Sequence, residues 1–211
     1  MFGLKFNIFL FWLGMLQWSN LYAHPHSQNS WVAARGLIDV DRDGILDEIK
    51  IETAKPIFVV DPDPCASCGS RVIGKFVAYV VLSKTHRTVT SPIYLHRPSE
   101  YLWYWRRQPA ALTFRNYSGR NIPEFNLGQF VNSTKWEYGL FQIDARGKVH
   151  RFAIDKPSIY VSPGNAVSTK KIHVSSSGIQ WTDFGNAGED SGQRLIRCHW
   201  IKSIAGFGCP R

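Results

Sequence analysis

The chain has 211 residues, with 25 Lys and Arg against 16 Asp and Glu and a formal net charge of +9. That balance favours anionic surfaces or polymers through long-range attraction. The basic residues are scattered, with Arg106-Arg107 and Lys170-Lys171 the main doublets, so no block marks nucleic-acid binding. Beyond the amino-terminal segment no stretch approaches the roughly 20 apolar residues that a membrane helix requires, which excludes a helical anchor there.

Taken from the start, residues 1–23 read as a secretory signal. Lys5 supplies the positive n-region, 8–16 is an apolar run, and Leu21-Tyr22-Ala23 ends in the small residue expected at a cleavage site. Cleavage there places the protein in a secreted or periplasmic compartment with no transmembrane anchor. It leaves a polar leader, 24–30, flexible by composition, and a β-rich domain over 31–211. If Ala23 is the last residue removed, the chain begins His24-Pro25-His26. The copper motif that uses the amides of residues two and three is excluded, because Pro25 has no amide hydrogen. A histidine brace, as in lytic polysaccharide monooxygenases and CopC-like copper carriers, would chelate copper with the His24 amine and ring. Its second histidine would be His86, His96, His150, His173 or His199.

The stretch Asp39-Val-Asp-Arg-Asp-Gly-Ile-Leu-Asp47 places carboxylates at alternating positions around a glycine. Oxygen ligands so spaced converge on a hard cation, Gly44 permits the sharp turn, and the Ile45 carbonyl can join the shell. An EF-hand would need a bidentate Glu where Lys50 stands, so Asp47 is the expected closing ligand. The pattern resembles the Asp-x-Asp-x-Asp-Gly-x-x-Asp loops of FG-GAP and VCBS-type repeats, which sit between two strands and bind calcium. The resemblance covers this loop alone, and with no second copy a multi-bladed propeller is not expected. It implies calcium held by Asp39, Asp41, Asp43, Ile45 and Asp47. The bland alternative is a solvated Asp-Gly hairpin turn.

Strands are expected at 31–38 and 48–53 on either side of this loop, at 57–60, and over the β-branched and aromatic run 71–83. The four cysteines form Cys65-Ala-Ser-Cys68 and a distant pair, Cys198 and Cys209. Strand residues around the first pair argue against a thioredoxin-like helix start, and an exported chain favours disulfides over zinc thiolates. The expected bridges are Cys198–Cys209 and Cys65–Cys68, with a crossed pairing left open. In 99–107 the aromatic residues Tyr101, Trp103 and Trp105 share one face if the segment is a strand. With Arg106 and Arg107 they form either buried core or a ligand platform for sugars, nucleobases or lipid head groups.

Hairpins are expected from 136–143 with 149–154, turning at Gly147, and from 170–174 with 179–184, followed by a last strand at 193–201. The fold class is all-β, an antiparallel sandwich or barrel-like single domain with little helix. Gly-x-Ser-x-Gly, His-Glu-x-x-His and the complete phosphate loop Gly-x-x-x-x-Gly-Lys-Ser/Thr are missing from the sequence. The expectation is a secreted or periplasmic, calcium-stabilised β-domain, a binding protein rather than an enzyme. Its partner would be an anionic envelope polymer, a glycan or an exported protein at the cell surface. Two alternatives stand beside it: a histidine-brace copper protein or oxidase, and an inhibitor or structural partner of another exported protein.

Overall fold

Glu48-Ile-Lys-Ile-Glu alternates polar and apolar, and a strand is the conformation that sends such residues to opposite faces. In the computed structural model Ile49 and Ile51 are fully buried, while Glu48 and Lys50 pair at 3.0 Å on the other face. The structure describes residues 30–59, 71–95, 102–104, 109–132, 135–155, 159–161, 168–183 and 194–209.

Over the first part of the chain the strands are β1 (Trp31–Ile38), β2 (Asp47–Thr53), β3 (Ile57–Val59), β4 (Arg71–Gly74), β5 (Phe76–Leu82) and β6 (Arg87–Ile93). Then come β7 (Leu102–Tyr104), β8 (Ala110–Ala111), β9 (Glu124–Asn132), β10 (Lys135–Ile143), β11 (Val149–Arg151) and β12 (Ala153–Ile154). The series closes with β13 (Ile159–Val161), β14 (His173–Ser175), β15 (Gly178–Asp183), β16 (Arg194–Ile201) and β17 (Gly206–Gly208). Among the described residues the helical content is one 3₁₀ turn, Lys202–Ile204, and none is long and apolar enough to cross a membrane.

One sheet runs β6-β5-β2-β1-β8, and another β12-β17-β16-β15-β14. In a third, β10 carries β9 along one edge, and β11 and β13 at opposite ends of the other. The smallest is β3-β4-β7. Among the described residues pairing is antiparallel apart from the short contacts β1–β8 and β12–β17, and no sheet closes into a barrel. The all-β reading therefore stands. Buried side chains of every sheet, among them Val72, Val80, Leu140 and Ile179, merge into one apolar cluster. Across the β9–β10 pair the rings of Phe125 and Phe141 stack at 5.4 Å. Gly128 faces the Tyr138 ring, where a β-carbon would collide with it.

The structure departs from the expected elements in informative places. The expected strand 149–154 divides at Phe152, whose amide donates to the Leu140 carbonyl at 2.9 Å, so that β12 leaves β10 and joins β17. A bulge between Val32 and Ala34 in β1 turns Ala33 and Ala34 both inward, which simple alternation does not anticipate. Strand β6, in a stretch where no element is expected from the sequence, contains Pro92 and lies at a sheet edge, where a missing amide donor is tolerated.

Candidate metal centre

The pairing of Ile38 with Asp47 brings the two ends of the 39–46 loop to one strand spacing. Within the loop Arg42 and Gly44 take positive φ values of 64° and 86°, which curls the chain tightly. Asp39, Asp41 and Asp43 thereby each present a carboxylate oxygen within 4.8 Å of the others. Asp39 also accepts the Asp43 and Gly44 amides at 3.1 and 2.9 Å, and Asp43 Oδ1 accepts the Ile45 amide at 2.8 Å.

Two oxygens of the triad, Asp41 Oδ1 and Asp43 Oδ2, are buried without a hydrogen-bond donor. Lys84 Nζ stands 3.9 Å from Asp43 Oδ2, outside hydrogen-bond range. Buried carboxylate oxygens without donors are costly, and like charges this close raise the cost further. A cation removes both penalties, so this triad could hold a metal ion. A calcium shell of six to eight oxygens would take the rest from backbone carbonyls, such as that of Ile45, and from water.

Asp47, the expected closing ligand, is placed differently. It is 1% exposed and stands at the head of β2. Its Oδ2 accepts the Val40 amide at 2.9 Å and its Oδ1 the Ser83 amide at 2.8 Å. Ser83 Oγ in turn donates to the Leu46 carbonyl at 2.7 Å. Asp47 thus fastens the loop to the 83–86 turn, while the other three aspartates cluster. Arg42 secures the far side by donating to the Asn121 carbonyl at 2.5 Å. Sequence reasoning missed Ser83, Lys84 and Asn121, whose parts depend on neighbours remote in the chain.

Asp39 and Arg42 also form one wall of a cleft of about 400 Å³ whose other walls include Arg115, Asn121 and Glu124. Glu124 is fully buried and takes both the amide and the hydroxyl of Ser118. Burial pushes its carboxyl above the ordinary value, and the Ser118 bonds only partly offset this. Nearby, Asn126 Nδ2 donates to the Tyr117 hydroxyl at 2.6 Å and to the Thr169 carbonyl at 2.8 Å. Burial carries the Tyr117 phenol up to about 12. These groups are satisfied by one another and hold β9 to the loops beside it.

Of the other expected site residues, Cys198 and Cys209 form a disulfide between β16 and the residue after β17. Trp103 lies on β7 opposite Ile73 of β4. His24, His96, Cys65, Cys68, Tyr101, Trp105, Arg106 and Arg107 lie outside the described residues. Among the described residues Asp39, Asp41 and Asp43 are the one group of three or more metal-ligating side chains, and no histidine belongs to it. His150 instead pairs with Asp144 at 3.0 Å. No protein-family model, curated protein or solved structure matches this chain.

Proposed function

We propose that this protein is an exported binding domain whose 39–47 loop takes calcium as a structural ion and whose surface engages an envelope or cell-surface ligand. The observation that carries the calcium reading is the convergence of three carboxylates with two buried oxygens lacking donors. All-oxygen ligation in a turn between strands suits a hard cation, and the absence of sulfur and nitrogen donors from the triad disfavours copper and zinc. Magnesium demands a strict octahedron and dehydrates reluctantly, whereas calcium accepts irregular shells. Export is supported by the amino-terminal signal pattern and by the Cys198–Cys209 bridge, which persists in oxidising compartments.

Calorimetry with calcium on chelator-treated protein tests the reading. Heat of binding in the wild type and none in Asp43→Ala is expected. No heat in the wild type would leave only a solvated turn.

A further inference from the structure

Three turns make up the end of the molecule that carries the triad. Ser83 bonds the 39–46 loop to the 83–86 turn, and Lys84 faces Asp43. Just beyond that turn, Arg87 Nη2 donates to the Arg146 carbonyl at 2.9 Å and ties in the β10–β11 turn. At the tip Ile45 and Leu46 are 45% and 58% exposed, and Leu37, near the end of β1, is 61% exposed. Around them stand the exposed basic residues Arg42, Lys84, Arg87, Arg146 and Lys148. The loop bearing the apolar tip is pinned at both ends, so these side chains are held out in water rather than free to fold back.

We propose that this end docks on an anionic phospholipid bilayer, with Leu37, Ile45 and Leu46 entering the headgroup–acyl boundary and the basic side chains meeting lipid phosphates. The proposal rests on the calcium reading, because the ion sets the charge of the face. Without it the carboxylates of Asp39, Asp41, Asp43, Asp47 and Asp144 balance the five basic side chains. A divalent ion in the triad turns the same face positive. Waters in the shell of such an ion would be replaceable by phosphodiester oxygens. An anionic polymer would use the ion and the basic residues but gains nothing from Ile45 and Leu46. The apolar tip therefore selects the bilayer.

Vesicle co-sedimentation of the full chain tests this, using phosphatidylcholine with and without about one-third phosphatidylglycerol. Binding to the anionic vesicles in millimolar calcium is expected, at least about tenfold weaker in chelator or on phosphatidylcholine alone. The double substitution Leu37→Ser, Leu46→Ser changes exposed side chains only, at positions outside the calcium shell. It should weaken vesicle binding about tenfold while the calorimetric calcium affinity stays the same. Arg146→Glu should weaken vesicle binding most at low salt. Vesicle binding that survives the double substitution overturns the proposal. So does binding to polyphosphate without binding to vesicles. Calcium heat in solution without vesicle binding removes the docking face alone. Absence of that heat removes the calcium reading and, with it, calcium-gated docking.

Discussion

Asp47 Oδ1 accepts the amide of Ser83 at 2.8 Å, across 36 positions of sequence, and so joins the first hairpin's loop to the next turn of the same sheet. Its second oxygen is taken by Val40 within the loop. The carboxylate expected to close the cation shell thus fastens main-chain amides.

Asp47→Ala leaves both amides without an acceptor. An orphaned buried donor costs about 1–3 kcal/mol, so chemical denaturation should show a loss of roughly 2–5 kcal/mol. Asp43→Ala, measured in chelator, should cost less than about 1 kcal/mol, since it relieves repulsion within the triad. Equal losses for the two variants would show that Asp47 does not fasten the loop.

Calcium should raise the melting temperature modestly. For an extracellular site with a dissociation constant of roughly 10⁻⁴–10⁻³ M, about 1 mM calcium stabilises by roughly 0.4–1.4 kcal/mol. That corresponds to a shift of about 1–5 °C for a domain of this size. Asp41→Asn should abolish the shift and raise the chelator baseline, because it removes one of the converging charges. A calcium response unchanged by Asp41→Asn would move the ion to another site.

Glu124 gives the stability a pH dependence of known sign. Its folded carboxyl titrates above the ordinary value of 4.5, so the folded state holds this proton more tightly than the unfolded chain does. The resulting stabilisation is full below the unfolded value and is lost as the pH rises through the folded one. Glu124→Gln cannot titrate. As the pH rises through and above that ordinary value, the melting temperature of the wild type should therefore fall relative to that of the variant. Parallel profiles would show that the buried carboxyl titrates normally.

The Cys198–Cys209 bridge spans 11 positions of sequence. Closing a loop of that length stabilises by about 3 kcal/mol in the chain-entropy account. Replacing both cysteines with alanine should lower stability by roughly 2–4 kcal/mol in denaturant titrations, with the β16–β17 pairing retained. Non-reducing peptide mapping that finds free thiols at both positions would remove the basis for this expectation.

What was legible in the sequence is what the chain decides locally. The turn at Gly147 is closed by its own residues, with the Gly147 amide donating to the Asp144 carbonyl at 2.8 Å. The alternation around Ile49 and Ile51 likewise needs no knowledge of the partner strand. Strand β9 escaped notice because two of its buried positions are Glu124 and Asn126, polar residues that a pattern reading sends to the surface. Their partners, Ser118, Tyr117 and Thr169, come from neighbouring loops as far as 43 positions away. The triad was legible because alternate aspartates around Gly44 are a local signal. The different part played by Asp47 depends on Ser83, which no nearby residue announces.

Phe152 sits at the point where the chain passes from β11 to β12, and so from one sheet into another, with no intervening loop. Its amide is held by Leu140 of the sheet it leaves, while its ring packs against Trp200 and Phe207 of the sheet it enters. A single residue with one attachment on each side leaves no slack for either sheet to come apart while the other stays intact. Heat should therefore melt both in one cooperative event, with calorimetric and van't Hoff enthalpies in agreement. Limited proteolysis should find no hinge at this junction from which two stable halves could be released.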